Sequence, residues 1–197
     1  MLTHLLRPLV FLRIRHESGT LNGFNWTLPG VVTLACVAVV WLVSPHVNVF
    51  HGDGLINKVL AFVQNLPGFY IAALAAVATF ARPNLDELMP GRPPTVDIIY
   101  NNQLTHVELT RRRFLCMMFS YLTALSIGLT LIAIVVTTFA DPIAALLKTS
   151  LLPVYAHALQ TGLRVVGATL FFWLFMQMVV VTLWGLYYLG ERMHTPD

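Results

Sequence analysis

The groups in this chain best suited to bind an anion are three consecutive arginines, Arg111, Arg112 and Arg113, standing directly against the uncharged stretch Phe114–Phe139. Dense positive charge beside a long apolar run anchors a helix end at an anionic lipid surface, each arginine contributing about 1 kcal/mol there. The triplet also suits a partner or a lipid headgroup, which makes all three candidate contact residues. A second set is His46, His51, Asp53 and His157. These types ligate zinc, but their spacing fits no compact ligand pattern, so no metal and no cofactor is expected. Cys36 and Cys116 are too few and too far apart for a metal knuckle or a disulfide framework, and both fall in apolar runs where a thiol serves as small packing material. There is no His-Glu-x-x-His, Gly-x-Ser-x-Gly, Cys-x-x-Cys or phosphate loop. The apolar runs hold neither a nucleophile with its base nor paired aspartates, and a non-enzymatic protein is expected.

Polar groups inside the apolar runs are Gln64 and Asn65, Gln177, and the hydroxyls of Ser120, Thr123, Ser126 and Thr130. Ionisable groups mark ion pumps and carriers and, apart from Arg164 at the start of the fourth run, charged side chains are missing there, which argues against a proton relay. Gln177 has two readings: an interhelical hydrogen bond or, in a ring of subunits, a residue lining a central passage. Small residues recur every four positions at Gly68, Ala72 and Ala76, and again at Ser120, Ala124 and Gly128. Such ridges let helix backbones approach closely. Both are predicted to face other helices, in the same bundle or in a neighbouring subunit of a homo-oligomer.

The elements that must position these residues follow from composition. Of 197 residues, 57% are hydrophobic and 11% charged, against about 25% charged in an ordinary soluble domain. Four apolar runs are long enough to cross a membrane: Thr27–Ser44, Val59–Ala81, Phe114–Phe139 and Leu163–Gly190. Pro67 and Gly68 interrupt the second. Either one kinked helix spans, or residues 53–65 lie on the surface with Leu55, Ile56, Val59, Leu60 and Val63 toward lipid and the span begins near Leu66. The first arrangement leaves the longer span and is favoured. Trp184, Tyr187 and Tyr188 resemble an interfacial belt at the end of the fourth run.

Four spans place both termini on one side. Nine of the twelve Lys and Arg then fall there: Arg7, Arg13, Arg15, Arg82, Arg92, Arg111, Arg112, Arg113 and Arg192. Lys58, Lys148 and Arg164 fall on the other side. This bias puts both termini in the cytoplasm. The net charge of +3 is thereby assigned to lipid and topology, and no direct nucleic-acid binding is expected. Residues 1–26 read as a cytoplasmic segment with Leu2, Leu5, Leu6, Leu9 and Val10 on one stripe of a surface-lying amphipathic helix. Asp141-Pro142 reads as the start of a helix at the outer surface, broken by Pro153.

The largest polar piece is residues 82–113. Asn84 begins a capped turn, and "TVDIIY" and "QLTHVEL" read as two short strands around Asn101 and Asn102. An isolated hairpin is marginal in water and needs something to pack on. Asp97, Tyr100, Asn101 and Asn102 are accordingly candidate partner contacts, along with the arginine triplet.

The predicted fold class is an all-α polytopic membrane protein with four transmembrane helices and a small cytoplasmic β-hairpin insertion. Residues 27–81 form a first helix pair, 114–190 a second, and 191–197 a cytoplasmic tail. This plan, with the arginine-led third span "LTRRRFLCMMFSYL", resembles the four-span membrane component of bacterial Kiwa anti-phage systems. The resemblance implies a sensor of membrane perturbation working with a soluble effector encoded beside it, and carries over no residue role. The function expected is a multi-pass bacterial inner-membrane subunit that contacts membrane lipids, oligomerises and recruits or regulates a soluble cytoplasmic effector protein. The alternative is an oligomeric pore or small-solute channel.

Overall fold

The computed structural model describes residues 7–14, 23–43, 49, 54–80, 83–89, 93–100, 103–150 and 153–192. The chain is mostly helical with one small two-stranded sheet. A 3-10 helix, Arg7–Arg13, and a π-turn, Gly23–Thr27, precede α1 (Leu28–Val43). Helices α2 (Leu55–Val63), α3 (Leu66–Thr79) and the short α4 (Pro83–Asp86) follow. Strands β1 (Thr95–Tyr100) and β2 (Gln103–Glu108) lead into two long helices, α5 (Arg111–Ser150) and α6 (Pro153–Tyr187). Helix α5 is the hub: α2, α3, α6 and the N-terminal 3-10 helix all pack on it, while α1 packs on α6.

Three stretches are long and apolar enough to cross a membrane: Leu55–Thr79, Arg111–Leu146 and His157–Gly190. The first apolar run forms a shorter helix and falls below that length. Only 17%, 22% and 28% of the most apolar window of each long stretch is buried, so much of its apolar surface is left exposed by the described residues. Exposed apolar area on this scale marks contact with membrane or with other protein.

The second stretch, Leu55–Thr79, is a near-continuous helical run interrupted at Gln64-Asn65. Gln64 (φ −59°, ψ −23°) and Asn65 (φ −89°, ψ −18°) keep helical dihedrals across the break, and Asn65 Nδ2 donates to the Ala61 carbonyl at 3.3 Å. Ile56, Val59 and Val63, assigned to lipid by the surface-lying alternative, are buried. Two other expectations change. No separate outer helix begins at Asp141: α5 runs through Pro142 to Ser150 and α6 starts at Pro153. Proline removes one backbone donor and crowds the preceding turn, but here the helix continues on both sides, with Ala144 buried and Asp141 facing Arg164 of α6. The N-terminal segment is not a surface helix over its described part. Phe11 and Ile14 are buried in the bundle, because a 3-10 turn aims Phe11 at α5, while Leu9 stays exposed. Leu2, Leu5 and Leu6 lie outside the described residues.

Candidate partner-docking surface at the arginine end of the bundle

The start of α5 fixes the geometry of this end. Thr110 precedes the helix, and its Oγ1 accepts the Arg113 backbone N–H at 3.3 Å, a side-chain cap on the first turn. Three cations follow at the positive end of a helix dipole, where the field disfavours them. They are handled separately. The Arg112 guanidinium forks onto Asp86, Nε to Oδ1 at 2.7 Å and Nη2 to Oδ2 at 3.0 Å. Its Nη1 donates to the Val77 and Ala78 carbonyls at 3.1 and 3.2 Å, filling acceptors left open at the end of α3. Arg112 is therefore a clamp joining α3, α4 and α5. Arg111 is buried, and its backbone N–H donates to the Glu87 carbonyl at 3.1 Å. Of the triplet, Arg113 alone is exposed and remains open to a lipid headgroup or partner.

The hairpin has the predicted strands in antiparallel register, Thr95 opposite Glu108 and Tyr100 opposite Gln103. Its root is stitched to the bundle. Leu109 N–H donates to the Pro94 carbonyl at 3.0 Å, Met89 N–H to the Leu109 carbonyl at 3.4 Å, and Leu88 bridges Thr110. Val96, Leu109 and Leu85 are buried with the core, which supplies the packing an isolated hairpin lacks. Asp97 and His106 stand directly opposite and pair through Oδ1 and Nδ1 on the exposed side. Asn101 and Asn102 lie outside the described residues, and of Tyr100 only the backbone, in β1, is described.

Beneath this end sits an aromatic cluster. Phe11 stacks on Tyr121, centroids 5.2 Å apart, and Phe114 meets Trp184 edge-on at 5.3 Å and Tyr188 at 5.9 Å. Trp184 and Tyr188 thus serve the core, and of the three aromatic residues expected at an interface Tyr187 is the exposed one.

The predicted small-residue ridges are only partly covered by the described residues. Gly68 and Ala72 are exposed and Ala76 half-buried, while Ser120, Ala124 and Gly128 are half-buried at the flank of the stripe that α5 buries. A Cβ added at Gly68 or Gly128 meets nothing within 4 Å. The close approach lies at Gly185 of α6, where a Cβ would stand 2.5 Å from Met118 Cε of α5. A lone glycine among bulky aromatics, in "TLWGLYY", is the signal that points to it.

Gln177 is buried, and its Nε2 donates to the Asn25 backbone carbonyl at 3.0 Å. An α-helical donor for that carbonyl would come from residue 29, where Pro29 has no N–H, and Asn25 lies instead in the π-turn, whose pattern reaches to residue 30. Gln177 supplies a side-chain donor to it from α6. Nearby, the Thr182 hydroxyl donates to the Met178 carbonyl at 2.7 Å and so accepts from Tyr70 OH at 2.7 Å, which ties α3 to α6. Ser126, Thr123 and Thr130 all bond back to carbonyls of their own helix.

Among the described residues, no three His, Cys, Asp or Glu converge as a metal site. His46, His51 and Asp53 lie outside them. Compared with known proteins, the chain matches no family model, no curated protein and no solved structure.

Proposed function

We propose that this chain is a non-enzymatic, self-associating subunit of the bacterial inner membrane that presents its hairpin to a soluble cytoplasmic partner. Four helices cross, α1 being extended at its start by the π-turn, and both termini face the cytoplasm with the arginine end. The observation that carries the reading is the union of hairpin and spans. The hairpin runs through Leu109 and Thr110 directly into α5, its root is paired with Leu88 and Met89, the adjoining Glu87 carbonyl accepts the Arg111 N–H, and Arg112 joins the start of α5 to the end of α3. A shift of one long helix against another is thereby passed to β1 and β2. The resemblance to Kiwa-type membrane components makes the partner an effector encoded beside it and the stimulus a disturbed membrane during phage attack. The pore reading loses its main support, because Gln177 is engaged by the Asn25 carbonyl.

The test is affinity purification in mild detergent with the encoded neighbours expressed. A multimer carrying a neighbour-encoded protein is expected, with that protein lost when Tyr100, Asn101 and Asn102 are replaced by alanine. A lone monomer, or a partner indifferent to the hairpin, sinks the proposal. Impermeant thiol labelling of added terminal cysteines in intact cells checks the orientation, and reaction from outside would reverse it.

A further inference from the structure

The N-terminal 3-10 helix sorts its side chains by threes, because residues three apart eclipse. Pro8, Phe11 and Ile14 share the inward face, the last two buried, and the Ile14 N–H continues the turn by donating to the Phe11 carbonyl at 3.2 Å. Arg7 and Arg13 share another face with Val10, and both arginines are exposed. Six residues at 2.0 Å each set them about 12 Å apart. Leu9, on the third face, is 43% exposed. The Phe11 ring fixes this scaffold, its centroid 5.9 Å from that of Phe114 and 5.2 Å from that of Tyr121 in α5. Directly before Phe114 stands Arg113, the exposed member of the triplet. Among the described residues, no ion pair or side-chain hydrogen bond engages the guanidinium of Arg7, Arg13 or Arg113.

Three such cations call for an anion, and their setting selects which. Phe11 meets α5 between Phe114 and Tyr121, about 5 to 15 Å from the start of the helix at 1.5 Å per residue. With the arginine triplet at the membrane surface, that depth is the boundary between headgroups and acyl chains. An arginine held there extends its charged end to the phosphates and keeps its stem in apolar surroundings. A purely cationic face would suit a soluble acidic protein as well. Here an exposed leucine adjoins the arginines, and basic residues beside apolar ones on one short element match a lipid interface.

We propose that Arg7, Arg13 and Arg113 form a binding site for anionic phospholipid headgroups of the cytoplasmic leaflet, and that docking of Phe11 on α5 builds it. The proposal rests on the membrane reading above. The test is lipid retention by the full chain in nanodiscs of equimolar phosphatidylglycerol and phosphatidylcholine, read by native mass spectrometry after release into detergent. The wild type retains phosphatidylglycerol in preference. Arg7→Gln, Arg13→Gln and Arg113→Gln each lower that preference about fivefold, the scale of one cation at an anionic surface. Phe11→Ala leaves every charge in place and lowers it at least as much as Arg13→Gln, because Arg7 and Arg13 lose their mount. The three arginine changes lie on the surface and leave the fold intact, so they decide the outcome where Phe11→Ala fails to fold. Equal retention of both lipids by the wild type, or a preference unmoved by the arginine changes or by a folded Phe11→Ala, overturns the site and leaves the membrane reading standing. A preference unmoved while an encoded neighbour stops co-purifying assigns the cations to a protein and also overturns it. A chain that stays in solution without entering nanodiscs overturns both.

Discussion

The two ends of the α5–α6 pair both carry large apolar residues and end up in opposite conditions. At the arginine end, Phe114, Leu115, Met118 and Leu122 are fully buried, with the N-terminal 3-10 helix, α3, α4 and α6 packed on α5. At the far end, Leu146, Tyr155, Leu159 and Leu163 are all more than half exposed. Composition decides that a residue avoids water. What it touches instead depends on how many elements reach it. Helix α5 has 40 residues, about 60 Å, twice a hydrocarbon core, so no single neighbour covers its length. The crowded end is closely packed, and the far end keeps its apolar side chains exposed among the described residues.

The sharpest way to break this contrast is a pair of truncations. Phe114→Ala should cost about 3–5 kcal/mol, as expected for a buried aromatic, whereas Leu163→Ala should stay within about 0.5 kcal/mol. Reversible unfolding in mixed micelles measures both, and equal losses would mean that the far end is as tightly held as the near one. Next comes the helix crossing. Gly185→Leu should destabilise by about 1–3 kcal/mol through overpacking against Met118, with much of the loss recovered in Gly185→Leu/Met118→Ala. No recovery in the double variant would place the crossing elsewhere.

Gln177 offers a more specific probe. Gln177→Leu takes the side-chain donor from the Asn25 carbonyl and should cost about 1 kcal/mol, the scale of interhelical hydrogen bonds in membranes. In a Pro29→Ala background residue 29 regains its N–H, and the same substitution should cost less. A double-mutant cycle with no coupling would show that an N–H at residue 29 cannot take the place of the Gln177 amide. The smallest effect is at the cap: Thr110→Ala should cost about 1 kcal/mol or less and act locally. Hydrogen exchange should quicken at Arg113 and at the hairpin root while α5 beyond Leu122 is unaffected.

Much of this architecture is legible in the chain itself. The hairpin, strand for strand, follows from period-two alternation around Asn101-Asn102, and the interruption of the second stretch follows from Pro67. The departures share a cause. The N-terminal stripe of Leu2, Leu5, Leu6, Leu9 and Val10 is a fair amphipathic pattern, yet Phe11 is the residue that docks, because an aromatic pocket made by Phe114 and Tyr121 awaits it. The Asp141-Pro142 pair looks like a helix start, yet α5 continues through it, because α6 runs alongside and Asp141 meets Arg164. The small-residue ridges are real repeats, but repeats within one helix do not reveal which face a neighbour takes.

The sequence by itself determined the apolar character of the long helices, the position of the hairpin and the end of the molecule that carries the positive charge. Each depends on residues near one another along the chain, through hydrophobic run length and local backbone periodicity. Only the tertiary structure decided what the arginines do. Neighbours on a helix point about 100° apart, so Arg111 is buried, Arg112 grips Asp86 and the end of α3, and Arg113 faces outward. The same holds for Gln177, whose partner carbonyl lies 152 residues earlier. Contacts between distant segments exist only once the helices have docked, and docking depends on the shapes of all of them together.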